Sequence, residues 1–444
     1  MADLLELSSH IIDSGHADQP VNRVTNELSE IGPDLALVES FSHAAVWDSP
    51  DGLVAFDTSG AHTGAAVVES IRVWRPDTPF NSLVYTHGHA DHVGGSGFFA
   101  ADAERRGHTR PRVVGHENVA RRFDRYEYTN NWNVIINARQ FGGLKGELNL
   151  QVGETSPGGA SVVVREGARF LPRAVMRPDH EVDEHDTLTF GDEVVQLHHA
   201  RGETDDHLWS FVPSRKWLFA GDFVIWNFPN AGNPQKVQRY PVEWARALRD
   251  MIATSPELLV PAHGLPIAGR ERIATVLDTM ATALENLVDD VVAMMNAGCT
   301  LDEIVHTVRV PDDTLAKPYL RPYYDEPEFV VRGIWRQFGG WWDGAPSRLK
   351  PAPDAQVATV VAQLAGGADV LINRAQQAIG DGDMRLACHL ADFAGLAAPD
   401  DPAVHGARAE IYLARRKAEP SLMAKGIFLG AAKESQAVAN PQQG

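Results

Sequence analysis

The chain has 444 residues, of which 44% are hydrophobic and 22% charged, enough for two or three globular domains with ample buried core. Its formal net charge of −19 argues against nucleic acid or an anionic membrane as partner, although metals and a few arginines can reverse the sign locally for an anionic substrate. The two cysteines, Cys299 and Cys388, match no zinc or redox spacing and read as buried thiols of a reducing compartment.

The N-terminal "MADLLELSSHIIDSGHADQP" lacks a basic leader, a long apolar run and a small-residue cleavage site. No segment approaches the roughly 18 apolar residues of a membrane span, so a cytoplasmic protein without a membrane partner is expected. From about residue 35 to 265, short apolar runs alternate with turns and helices. "AAVWDSPDGLVAFDT" reads as two strands joined by a Pro-Asp-Gly turn. "SLVYTH", "RVVGH", "SVVV", "TLTFGDEVVQLHH", "LWSFV", "KWLFAGD" and "ELLVPAH" add further strands, several ending in histidine, aspartate or glycine. Reactive residues at strand ends are how α/β folds present chemistry on loops held by a rigid sheet. Segments 115–127 and 241–253 read as helices, and 125–142, "RYEYTNNWNVIINARQFG", as an aromatic, amide-rich insertion.

After residue 270 the character changes. Ile273, Val276, Leu277, Met280, Leu284, Leu287, Val288, Val291 and Met295 mark one face of a long helix. From about 355 onward, alanine-rich apolar segments alternate with Gly, Pro and Asp breaks, predicting a run of helices with short connections. The expected division is residues 1–297 and 298–444.

The segment "THGHADHVGG" holds three histidines and one aspartate in six positions, His87-x-His89-x-Asp91-His92. Such a match should arise by chance on the order of once per million starts, so a metal site is the first hypothesis. Imidazole and carboxylate are usual zinc ligands. H-x-H on an extended loop lets His87 and His89 reach one ion, while Asp91 and His92 point towards a second. Two ions roughly 3.5–4 Å apart would share a bridging hydroxide, a nucleophile at neutral pH. Further ligands are required downstream, and Glu203 in "HARGETDDH", Asp222 in "LFAGD" and His263 in "LVPAHG" follow apolar runs. Asp57 in "FDT" is placed to orient a ligand histidine. His116, His198, His199 and His207 are expected to be structural.

This ordered set resembles the metallo-β-lactamase superfamily, whose signature is H-x-H-x-D-H, a turn with a third histidine, an aspartate after a strand, and a late histidine. The turn here is Arg201-Gly202-Glu203-Thr204, with glutamate in place of histidine, as in the alkylsulfatase branch. "YDEPEFVVRGIWRQFGGWWDGAPSRLKPAP" is similar to the start of that branch's dimerisation domain. The resemblance implies an α/β chain: an αββα sandwich followed by an all-α dimerisation domain, with Trp335, Trp341 and Trp342 in the core of the latter. It implies two zinc ions, one on His87, His89 and Glu203, the other on Asp91, His92 and His263, bridged by Asp222. It also implies a homodimer, able to pair with a close homologue. The branch has glutamate at the bridge, where this chain has Gly221-Asp222-Phe223, and a sulfate-holding Leu-Arg-Gly segment, where this chain reads "NAGNPQKVQRYP".

The activity expected is hydrolysis of a sulfuric ester of an alkyl chain by a metal-bound hydroxide. Asp91 and Asp222 are the catalytic carboxylates expected, and Tyr126 assists the leaving group. Asn137, Arg139, Lys236 and Arg239 are the candidate substrate-binding residues. The departures keep a rival in view: hydrolysis of an activated carboxylic ester or an aryl alkyl ether. A redox module or a non-catalytic interaction subunit ranks below both, because every ligand position is filled and no flavin domain accompanies the site.

Overall fold

The computed structural model describes residues 3–141 and 169–441, together with the backbone of a short hairpin, Gly146–Asn149 with Ser161–Val164. Two mixed sheets face one another. The first orders its strands Leu28–Gly32, Leu35–Val38, Ala44–Ser49, Gly52–Phe56, Phe80–Val84, Arg112–His116 and His180–Val182. The second runs His185–Phe190, Glu193–His199, Leu208–Val212, Trp217–Gly221, Leu258–Pro261 and Ile267–Ala268.

Strand side chains alternate between faces, and here both faces are apolar. Val54 and Phe56 enter the core between the sheets, whereas Leu53 and Ala55 enter a second core on the outer face. Phe56 stacks on Phe219 of the opposite sheet with ring centroids 3.7 Å apart, which ties the two sheets directly. Helices Gly64–Trp74, Ser96–Arg106 and Asn118–Tyr128 close the outer core with Val67, Ile71, Phe99 and Phe123. Helices Pro241–Ala253 and Arg270–Asn296 cover the second sheet with Trp244, Leu248, Ile273 and Leu277. Pro241 opens the first of these, where its missing N–H costs nothing. The result is the expected order of layers: helices, sheet, sheet, helices.

Strand direction decides where the chemistry goes. Gly52–Phe56, Phe80–Val84 and Arg112–His116 run parallel, and so do Trp217–Gly221 and Leu258–Pro261. The chain therefore leaves their C-terminal ends on a common edge, at Asp57, His87, Asp222 and His263. Open parallel sheets bind ligands at such an edge.

The C-terminal half is helical, as expected. Leu301–Thr307 and Pro327–Gly339 add Ile304, Val330 and Ile334 to the core between and behind the sheets. Helices Asp354–Ala365, Ala368–Gly380, Met384–Ala397 and Pro402–Ala418 build a separate core around Ala375, Ala387, Ala391 and Ile411. The tryptophans depart from expectation. Trp335 packs partly against the main core, but Trp341 is 71% exposed and Trp342 is 37% exposed, because among the described residues none of the three cores reaches the turn that carries them. Among the described residues no single helix is long and apolar enough to cross a membrane.

The insertion after residue 125 is also more ordered than its composition suggested, since Asn130–Gln140 is a helix. It seats against the last helix, Leu422–Ala439, where a Cβ on Gly426 would fall 1.8 Å from the Gln140 carbonyl oxygen. Helices Leu4–Ser14, Gly64–Trp74 and Ser96–Arg106 and strand Leu28–Gly32 add to the elements read from the sequence.

Candidate metal centre

Seven side chains from four loops converge at the shared sheet edge. His92 Nε2 lies 3.5 Å from Asp91 Oδ2 and 3.4 Å from Asp222 Oδ2. His263 Nε2 lies 3.5 Å from Asp91 Oδ2 and 3.6 Å from Asp222 Oδ1. On the other side of Asp222, His87 Nε2 is 3.8 Å from Oδ2 and 2.8 Å from His89 Nδ1. His89 Nδ1 is in turn 3.6 Å from Glu203 Oε1. The ligand atoms fall into three groups able to hold a cation: Asp91, His92 and His263; His89, Glu203 and Asp222; and His87, His92 and Asp222. The first trio is the one expected. The second joins His89 and Glu203 to Asp222, and His87, 2.8 Å from His89, falls in the third with His92 and Asp222. Asp222 belongs to two of the groups: its Oδ2 lies 3.4 Å from His92 and 3.8 Å from His87, and its Oδ1 lies 3.6 Å from His263.

The donor set fits divalent metal. Among the described residues, buried His92 Nε2, Glu203 Oε2 and Asp222 Oδ1 have no hydrogen-bond partner, and orphaned buried polar atoms are costly unless something else satisfies them. Burial and the neighbouring imidazole of His92 hold His87 well below its ordinary pKa, and burial with Arg239 does the same to His89. Both are thus neutral with a lone pair to offer. Against the cost of burial, His92 and His263 hold Asp222 well below the carboxylate range. Burial, only partly offset by Arg239, pushes Glu203 upward; a cation between the two carboxylates would keep both ionised.

Five of these seven side chains, or the loops that carry them, are fixed from behind. Asp57 accepts from Thr86 N at 2.8 Å and from His92 Nδ1 at 2.8 Å, so the His92 proton sits on Nδ1 and Nε2 faces the site. The loop bearing His87 and His89 is clamped by Asp206, which accepts from Gly88 N at 3.1 Å and from Arg122 Nε at 2.7 Å. A Cβ on Gly88 would meet Arg122 Cδ and Asp206 Oδ2, each at 2.9 Å. Asp205 also pairs with Arg122. In the Glu203–His207 turn, therefore, only Glu203 among the three carboxylates faces the ligand cluster. His207 Nε2 accepts from Asp222 N at 3.0 Å, and its ring stacks on His87. Gly221, at φ +54°, allows this approach, since a Cβ there would meet His207 Cε1 at 2.5 Å. His43 donates from Nε2 to the Gly264 carbonyl at 2.7 Å, bracing the loop behind His263.

A cavity of about 360 Å³ opens onto the cluster. Its walls are mainly apolar, from Phe41, Val134, Phe141, Phe170 and Ile225, with Tyr126, Asn137, Lys236, Arg239 and Tyr324 as polar members. Four of the five expected catalytic or substrate-binding residues outside the ligand set therefore line it. Arg139 does not: it points to Gln235, 3.4 Å away, and packs beside Gly430 of the last helix. Arg239 lies 2.5 Å from Glu203 Oε1 and so spends much of its charge within the site. Lys236 donates to Asn137 Oδ1 at 2.9 Å, and burial followed by Arg239 pushes it down to about 7. Phe41, His43, His62, Asn230 and Tyr324 had no local signal in the sequence; Tyr324, which accepts from Gln140 Nε2 at 2.5 Å, enters from the C-terminal half.

Residues 46–263 match the metallo-β-lactamase superfamily, and residues 300–437 match the alkyl sulfatase dimerisation family. The chain pairs a metallo-β-lactamase domain with an alkyl sulfatase dimerisation domain. A linear primary-alkylsulfatase of a Pseudomonas species is 28% identical over 382 residues, 82% of this chain and 68% of that protein. An (R)-specific secondary-alkylsulfatase of Pseudomonas sp. is 25% identical over 86% of this chain, which spans 58% of its length. The alkyl/aryl-sulfatase BDS1 of Saccharomyces cerevisiae is 24% identical over 83% of this chain, which spans 56% of it. The solved structure of the stereoselective inverting sec-alkylsulfatase Pisa1 from Pseudomonas sp. superposes with a TM-score of 0.77 at 21% identity. That likeness covers 93% of this chain and 66% of Pisa1, and it shows a common fold through both domains.

Proposed function

We propose that this chain is a binuclear zinc hydrolase that cleaves a sulfuric ester of an alkyl chain. The observation that carries the proposal is the convergence of three carboxylates and four histidines at an apolar cavity that five of them line, together with Lys236 and Arg239. The alkylsulfatases among its relatives and the matching dimerisation domain support the choice of ester. His87, His89 and Glu203 would hold one ion, Asp91, His92 and His263 the other, and Asp222 both. Ions bound there would supply Lewis acidity and activate water at neutral pH.

The chain's own residues do the rest. Phe41, Phe141 and Phe170 receive the hydrocarbon and exclude water. Lys236 and the amide of Asn137 face the polar end of the substrate. Burial raises the pKa of Tyr126, keeping its phenol protonated and able to donate to a leaving oxygen. Residues 1–297 form the catalytic unit in this proposal and 298–444 the assembly unit of a homodimer.

One observation favours a second reading. Arg239 is already paired with Glu203 and Arg169 with Glu127, so among the described residues Lys236 is the one unpaired cation lining the cavity for a sulfate, and burial pushes it down to about 7. An activated carboxylic ester or aryl alkyl ether asks for less. Zinc-loaded protein assayed against alkyl sulfates, carboxylic esters and nitroaryl ethers, with products identified by mass, decides between them. Turnover of a neutral ester or ether without any sulfate release would overturn the first reading.

A further inference from the structure

A second cavity, of about 230 Å³, backs onto the first. The two share His89, Tyr126, Glu203, Lys236 and Arg239, so these side chains form the wall between them. The linings differ in kind. Five cationic side chains face the second cavity, Arg122, Arg125, Lys236, Arg239 and Arg336, against one carboxylate, Glu203. In a chain of net charge −19 this local excess runs against the average.

Two of the five are neutralised, Arg122 by Asp205 and Asp206 and Arg239 by Glu203. The other three are not. Among the described residues Arg125 and Arg336 have no ion-pair partner, and Lys236 bonds only the neutral amide of Asn137. Arg239 Nε is buried and, among the described residues, has no hydrogen-bond partner. Like charges gathered around one concave space repel, and the field they focus there favours a counter-anion.

We propose that the second cavity is a binding and exit site for a tetrahedral oxyanion, inorganic sulfate in the reaction inferred above, on which this inference rests. Hydrolysis of an alkyl sulfate takes up water and yields an alcohol, a sulfate ion and a proton. The two organic and inorganic products have opposite solvation preferences. The apolar cavity retains the hydrocarbon; the cationic cavity, across a wall that includes Lys236, takes the anion. Arg125 and Arg336 supply planar forks of N–H donors, which suit oxyanions better than ammonium groups do. Neither residue lines the first cavity.

The test uses the full, metal-loaded chain and radiolabelled inorganic sulfate in equilibrium dialysis, comparing wild type with the double variant Arg125→Ala, Arg336→Ala. Loss of two charge-assisted contacts should weaken sulfate binding by at least about ten-fold and relieve product inhibition of alkyl sulfate turnover by the same factor, with metal content unchanged. The double variant Arg125→Lys, Arg336→Lys should recover part of the affinity, which separates loss of charge from loss of fold. Equal sulfate affinity in wild type and the alanine pair would overturn the site, as would no recovery by the lysine pair. The two readings fail separately. Sulfate binding lost in the alanine pair of a chain that cleaves no sulfate ester would leave the anion site standing and remove the activity. Alkyl sulfate turnover with unaltered sulfate binding in the variants would do the reverse.

Discussion

Replacing Asp57 with asparagine should loosen one metal ion without disturbing the fold. Asp57 is buried, and its carboxylate only accepts: Thr86 N and His92 Nδ1 each donate to it at 2.8 Å. Asparagine tolerates the left-handed backbone at this position, φ +61°, so the substitution carries no conformational penalty. It does exchange one acceptor oxygen for an N–H donor. With the amide oxygen kept on Thr86 N, the amide nitrogen faces His92 Nδ1, which must then accept. The imidazole proton moves to Nε2, the atom aimed at Asp91 and Asp222, and the lone pair that would bind metal is lost. A hydrogen bond to a charged group contributes roughly 1.5–3 kcal/mol, or about ten- to hundred-fold in affinity. That agrees with what partners of metal-ligating histidines contribute elsewhere. Competition with a chromophoric chelator, followed by elemental analysis, should show one ion leaving ten- to hundred-fold more readily, and Asp91, His92 and His263 mark which one. Ser42 Oγ, 3.0 Å from His92 Nδ1, can hold the same proton, so Ser42→Ala added to Asp57→Asn should deepen the loss. If Asp57→Asn binds both ions within about two-fold of wild type, the tautomer argument is wrong.

Glu203→Ala should halve the metal content and abolish turnover, whereas Asp205→Ala should retain both ions, because Asp205 pairs with Arg122 on the far side of the turn; the opposite result would reassign the ligand. Phe56→Ala removes one ring of the stack that joins the sheets and should cost about 3–5 kcal/mol in chemical denaturation, while a loss below about 1 kcal/mol would contradict the packing described. Against burial, Arg72, Arg106 and Arg105 hold Asp102 below its ordinary pKa. Its stabilisation is therefore complete above the unfolded carboxylate value of about 3.9 and fades as pH falls through its lower folded value. Asp102→Asn should thus lower stability by about 3 kcal/mol at neutral pH, with the gap narrowing below about pH 4; a gap that widens on acidification would reverse the sign assigned here. The exposed Trp341 and Leu364, 71% and 84% accessible in one chain, lead us to expect a dimer by light scattering at micromolar concentration, and a monomer would refute it.

The cluster of candidate ligands was legible because its signal is local. His87, His89, Asp91 and His92 lie within six positions, and the strand ends that deliver Asp222 and His263 are written as apolar runs stopped by a polar residue. The two strands flanking the Pro-Asp-Gly turn and the helix at 241–253 were equally plain, since turn signals and amphipathic spacing act over a few residues. What surrounds the cluster was decided by tertiary contact. Asn130–Gln140 is rich in residues that form helices poorly, and it is held by Leu422–Ala439, nearly three hundred residues away, against the close approach that Gly426 permits. That same contact turns Arg139 away from the cavity. Tyr324 and His43 reach the site only because the C-terminal half and an early loop fold over the sheet edge. The balance of charge, with Arg239 paired to Glu203 while Arg125 and Arg336 remain unmatched, also lies beyond the sequence. A residue type announces that it can carry charge; only the packed chain determines which opposite charge, if any, comes within reach.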